Sequence, residues 1–250
     1  MPITDPWFYL AAVPAVLVTG ISKGGFGGGL GIVAVPVLAL TISPAQAVAI
    51  MAPILILMDA FGVQTYWRDV DRGAMAIMLP GAVLGVALGG LLFDLLDARM
   101  MRLVVGALAL AFVANYLLGA ARDRPAPPPR PWFGVLCGGL AGFTSTIAHA
   151  GSPPAAFYLL PLRLHKTVFV ASTIIFFAVV NLMKLVPYWL IGEFTGVNLA
   201  TALVLAPLAP LSMYLGVWLH HRIEQRLFML LCYGLVALTG VKLIADGLGL

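Results

Sequence analysis

Apolar residues run through this chain in long blocks, and polar positions are confined to short interruptions, so the segments can be read from where the blocks stop. Residues 7–22 form the first block. A glycine-dense stretch, Gly20-Ile-Ser-Lys-Gly-Gly-Phe-Gly-Gly-Gly-Leu-Gly31, breaks it, and apolar chain resumes from Leu30 to Ile42. Further helices are predicted at 46–66, 73–93 and 100–119, each close to the ~20 apolar residues that cross a hydrocarbon core. The segment Arg122-Asp-Arg-Pro-Ala-Pro-Pro-Pro-Arg-Pro131 cannot be helical, because proline lacks the amide donor and clashes with the preceding turn. Beyond it come apolar residues 132–147, a second break at His149-Ala-Gly-Ser-Pro-Pro154, apolar chain to Leu162, and predicted helices at 167–191, 197–219 and 226–245. Glycine costs a helix interior roughly 1 kcal/mol relative to alanine. The run Gly24, Gly25, Gly27, Gly28, Gly29 and Gly31 therefore argues against continuous helix there, and irregular backbone at membrane depth survives only where protein or water covers it.

Composition fixes the class. At 62% hydrophobic and 10% charged residues, with mean hydropathy +1.04, the chain is far more apolar than a soluble domain, of which about a quarter is charged. It reads as an all-α integral membrane protein. The opening Met-Pro-Ile-Thr-Asp-Pro lacks a basic leader, so Trp7 begins the first expected membrane segment. The formal charge of +4 comes from loop arginines and points to no nucleic acid. Cys137 and Cys232 fall inside predicted helices and read as small core residues, with no disulfide or metal site implied. No cofactor is expected.

The second half repeats the first, as a search by register shows. An offset of 122 lays Gly20 on Gly142, Gly29 on Gly151, Asp59 on Asn181, Tyr66 on Tyr188 and Trp67 on Trp189. After a short insertion an offset of 127 lays Pro80 on Pro207, Gly89 on Gly216, Asp97 on Glu224 and Arg99 on Arg226. Two four-segment repeats are expected, 1–120 and 132–250, joined by a Pro/Arg linker at 121–131. Four full crossings per half would divide the loop lysines and arginines evenly. If each broken segment is a re-entrant hairpin, each half has three crossings and the halves are inverted. Arg68, Arg72, Arg122, Arg124, Arg130, Arg163, Lys166, Arg222 and Arg226 then share one side, against Arg99, Arg102 and Lys242 on the other. That restores the positive-inside bias and puts both termini outside.

Inverted hairpins bring their tips together near the midplane, where half-helix N-termini can face an anion. In the second tip Ser152 reads as an N-cap and Pro153 as the first helical residue. The first tip offers Gly25, Phe26, Gly27 and Gly28, with Lys23 adding a full charge. Ser22, Thr144, Ser145 and Thr146 add hydroxyls that can donate to oxyanion oxygens or bond back to their own helices. Lys184 and Asp59 are ionisable residues within predicted spans, which are expensive and point to function. Lys184 could instead snorkel outward, and Asp59 could be an ion-pair partner of Lys23 or Lys184 or a proton carrier. Asn181 is the better substrate-side ligand of the 59/181 pair. His149 could carry a proton or stay neutral and hydrogen-bonded. Tyr66, Trp67, Tyr188 and Trp189 sit at helix ends and suit an aromatic belt. His165, His220 and His221 fall in loops with no specific signal. Gly81, Gly85 and Gly89, spaced by four, suit close helix packing, either internally or in a homodimer. Gly29-x-Gly31-x-x-Ala34 meets a loose dinucleotide pattern, but no βαβ unit surrounds it.

Lys23-Gly-Gly-Phe-Gly-Gly-Gly-Leu-Gly31 with Val35-Pro36, its degenerate echo Gly142-Phe-Thr-Ser-Thr-Ile-Ala-His-Ala-Gly151 and the duplication resemble the sulfite exporter TauE/SafE family over nearly the whole chain. The resemblance implies a multi-pass carrier of the bacterial inner membrane that exports sulfur-containing anions such as sulfite or sulfoacetate. The expected partners are a small anion and the lipid bilayer. Together the residues and the resemblance give an alternating-access carrier, proton-linked or not, whose two tips and Lys184 hold the anion while one half rocks against the other. An anion channel is the alternative. No paired carboxylates with a nucleophile and no metal-spaced histidines suggest an enzyme.

Overall fold

The structure is a computed structural model and describes residues 2–28, 34–93, 130–190, 192 and 194–249, with isolated positions between 99 and 117. Most of the expected helix at 100–119 and most of the linker at 121–131 lie outside the described residues. The described residues are helical with no strand: α1 (Pro6–Phe26), α2 (Ala34–Leu38), α3 (Pro44–Tyr66), α4 (Arg72–Leu91), α5 (Pro131–Ala148), α6 (Ser152–Leu159), α7 (Lys166–Leu190), α8 (Gly196–Leu205), α9 (Leu208–Arg222) and α10 (Gln225–Leu248). Among them α1, α3, α4, α7 and α10 are long and apolar enough to cross a membrane. Polar side chains start several of them: Asp5, Ser43, Asp71 and Thr195 each accept an otherwise unpaired amide of the first turn.

Two expectations change. The helix predicted at 197–219 is two helices, α8 and α9, bent by 44° at a short break. Pro207, the N-cap of α9, has no amide to continue the α8 ladder. The glycine stretch is also not broken from Gly20: α1 runs through Gly20, Gly24 and Gly25 and stops at Gly27, whose φ of 73° needs a left-handed residue. The helix tolerates these glycines because α9 presses against them. A Cβ on Gly24 would lie 2.7 Å from the Met213 carbonyl oxygen, and one on Gly25 would lie 2.9 Å from that of Gly216.

A second seam has the same construction. Gly81 and Gly85 of α4 face the backbone of α5 at Val135 and Gly139, and Gly89 faces Phe143 and Thr146. The Gly81, Gly85 and Gly89 face is thus spent inside the molecule and is not free for a homodimer. Each seam joins one half of the chain to the other, α1 to α9 and α5 to α4. Rocking of one intact half against the other would have to part both.

The ends of α1 and α5 match. His149 closes α5 in the left-handed region (φ 50°), as Gly27 closes α1. The following amide reaches back six residues in each, Gly28 to the Ser22 carbonyl at 2.9 Å and Ala150 to that of Thr144 at 3.2 Å. Final helical carbonyls lack intrahelical donors, and tyrosines supply them here. Tyr66 donates to the Gly24 carbonyl at 3.0 Å and Tyr188 to that of Thr146 at 2.6 Å. Both tyrosines are buried, so they are struts rather than members of an interfacial belt, whereas Trp67 and Trp189 are exposed as a belt requires.

One end of the molecule collects the basic residues. The Lys166 ammonium caps the last turn of α9 through the His220 and Ile223 carbonyls, the Asp71 amide bonds Ser172, and Gly134 abuts Ile77. Arg68, Arg72, Arg130, Arg163, Lys166, Arg222 and Arg226 therefore share that end. At the opposite end the Ile3 amide bonds Thr201 and Gln46 bonds Asn198. The chain thus starts α1 at this second end, reaches His220 at the basic end, and is back at the second end when α3 starts.

Candidate functional site

Between the end of α1, the end of α5, the start of α6 and the middles of α3 and α7 lies a cavity of about 40 Å³, lined by Thr19, Lys23, Gly28, Leu55, Ser145, His149, Ser152, Phe177 and Asn181. That is room for a few waters. Lys23 is placed by α1 in its last turn, where a cation also suits the negative end of the helix. Its ammonium pairs with Asp59 Oδ1 at 2.7 Å, and Asn181 Nδ2 donates to Asp59 Oδ2 at 2.5 Å. Asp59 and Asn181, which the sequence register aligned across the repeat, are thus joined directly.

Lys184 does not snorkel. It is 1% exposed, and its ammonium donates to the Ser145 carbonyl at 3.2 Å, to Ser145 Oγ at 3.0 Å and to His149 Nδ1 at 2.9 Å. A protonated lysine has donors only, so His149 Nδ1 accepts, and its Nε2–H donates to the Val48 carbonyl at 3.2 Å. These two bonds hold a histidine in a backbone conformation uncommon for it, a form of strain that recurs at functional sites. Among the described residues, two buried lysines share the site with one carboxylate, and Asp59 pairs with Lys23, so Lys184 has no acidic partner in contact. Ser145 Oγ accepts from Lys184, so its hydrogen is available to a ligand. Leu55 and Phe177 add an apolar wall.

Other expected residues lie elsewhere. Ser22 is buried in α1, with its carbonyl closing the helix end. Gly25 packs on α9, and Phe26 stacks on Phe228 with 6.2 Å between ring centroids. Gly27 lines a neighbouring cavity. Thr146 Oγ1 turns back to the Gly142 carbonyl at 2.9 Å, and Thr144 Oγ1 to those of Leu140 and Ala150. The N-cap of α6 is Gly151, not Ser152, and Pro153 follows as the second helical residue. Ser152 Oγ donates to the Gly28 carbonyl at 2.9 Å, because the two tips meet closely enough to offer an acceptor across the gap.

The helix ends at the site differ in sign. Both α1 and α5 arrive by their C-terminal ends, which carry partial negative charge. An anion here would be held by lysines, with α6 alone of these three presenting its N-terminus.

Sequence reasoning missed Thr19, Leu55 and Phe177, and it put His220 and His221 in a loop although both lie in the last turn of α9. Leu55 and Phe177 are again 122 residues apart, one turn before Asp59 and Asn181, and that register was the signal available. His220 is buried, with Nδ1 at 3.1 Å from the Gly25 carbonyl and Nε2 at 3.3 Å from Thr167 Oγ1.

Compared with known proteins, the family described as sulfite exporter TauE/SafE matches residues 12–243. No curated protein and no solved structure matches the chain.

Proposed function

The chain belongs to the sulfite exporter TauE/SafE family, and from that premise we propose that it exports small sulfur-containing anions, sulfonates such as sulfoacetate or sulfite, across a bacterial inner membrane. The observation that carries this reading is the buried site in which two lysines face one carboxylate, so that a monoanion would balance the charge of the second lysine. Lys23, Lys184, Ser145 and Asn181 would hold the oxygens, and Leu55 and Phe177 would face the carbon of a sulfonate. Transport proceeds by alternating access around this site.

The returning broken segments, the bonds repeated at 122 residues and the basic end support two inverted repeats, with that end cytoplasmic and both termini outside. His149 and Asp59 are the groups that would link a proton.

The test is thermal unfolding of purified protein with sulfite, sulfate, sulfoacetate, taurine and acetate, beside Lys23→Ala and Lys184→Ala. A ligand at 100 times its Kd stabilises by about 2.7 kcal/mol. A sulfonate response in the wild type that both variants lose supports the reading; no response to any anion, or equal responses in the variants, refutes it. Flux into proteoliposomes far above carrier turnover would instead identify a channel.

A further inference from the structure

Beside the central cavity lies a second one of about 20 Å³, whose walls include Gly27, Ser152, Phe169, Thr173, Cys232 and Thr239. The two cavities share Ser152, and Gly27 of one is followed in the chain by Gly28 of the other. The 2.9 Å bond from Ser152 Oγ to the Gly28 carbonyl spans the boundary between them. The second cavity lies toward the basic end, since Phe169 packs edge-on against Phe228 and Phe228 lies against His220.

We propose that the second cavity is the inner vestibule of the anion's route and that the Ser152–Gly28 bond between the two tips is its gate. This rests on the transport reading. The vestibule lining carries no charged side chain, so an anion there is not retained as it is between Lys23 and Lys184. It passes inward or outward once the tips part. A gate made of one side-chain hydrogen bond and a left-handed glycine (Gly28, φ 86°) opens by separation of the tips without breaking an ion pair.

Cys232 on the vestibule wall reports the gate, and Cys137, buried in α5 and lining neither cavity, is the reference. The probe is 2-sulfonatoethyl methanethiosulfonate. The thiolate attacks its sulfenyl sulfur, a mixed disulfide forms and methanesulfinate leaves. Labelling is followed by mass spectrometry in inside-out and right-side-out vesicles. In the wild type, Cys232 is labelled from the cytoplasmic face and is protected from the outer face, while Cys137 is labelled from neither. Losing this part-buried hydrogen bond raises an open population by up to about tenfold, so Ser152→Ala speeds labelling from the outer face by up to about that factor while Cys137 stays protected. Equal labelling of wild-type Cys232 from both faces, none from either, or unchanged protection in Ser152→Ala would overturn the gate. The readout needs no transport: asymmetric labelling in a protein that moves no sulfonate would refute the transport reading alone.

Discussion

Replacing Lys23 by methionine separates the structural and binding roles of the buried pair. The side chains of Lys23 and Asp59 are 7% and 6% exposed and meet at 2.7 Å. At that distance and an effective dielectric of about 20, the attraction is roughly 6 kcal/mol, most of it offset by the desolvation of both ions. Lys23→Met keeps the desolvation of Asp59 and removes the attraction, leaving Asn181 as the remaining hydrogen-bond donor to the carboxylate. The expected loss is about 3–5 kcal/mol. Lys23→Met combined with Asp59→Leu removes both ions, and apolar replacement of a whole pair is often neutral, so the double variant should recover most of the loss. The assay is reversible unfolding in detergent micelles, with sulfonate-induced stabilisation measured on the double variant. It should be folded and unresponsive. A loss below about 1 kcal/mol in Lys23→Met would mean that water reaches the pair, and a double variant weaker than both single variants would refute the account of the pair.

The remaining predictions concern the seams and the struts. Gly85→Ala drives a Cβ into the Gly139 backbone and should cost about 1–3 kcal/mol by overpacking. Gly234→Ala, with no atom within 4 Å of its new Cβ, should gain up to about 1 kcal/mol of helix propensity; the same unfolding titration reads both. Tyr66→Phe and Tyr188→Phe each orphan a buried helix-end carbonyl and should each cost about 1–3 kcal/mol. A silent result at both would show water capping those carbonyls.

Long apolar blocks made the membrane class and most helix limits legible, because water-free surroundings leave little choice of side chain. The register aligned Asp59 with Asn181 as repeat equivalents, and the fold adds that the two touch where α3 and α7 cross. The end of α1 was misread because propensity scales weigh glycine locally, whereas Gly24 and Gly25 are kept by α9, a helix from the other half. Leu55 and Phe177 gave no contrast against equally apolar neighbours. Tyr66 looked interfacial by position along its helix, and only the fold shows that a carbonyl waits inside. Ser152 looked like a cap for its own helix, and its acceptor lies in a distant part of the chain.

The glycine seams also constrain biosynthesis. α1 leaves the ribosome well before its partner α9. Until α9 arrives, the small-residue face of α1 has only lipid to meet, and α4 waits in the same way for α5. The first half is thus an incomplete object in the bilayer until the second half is inserted beside it. Two halves synthesised as separate chains should accumulate together and be degraded apart, because each carries the surface that completes the other.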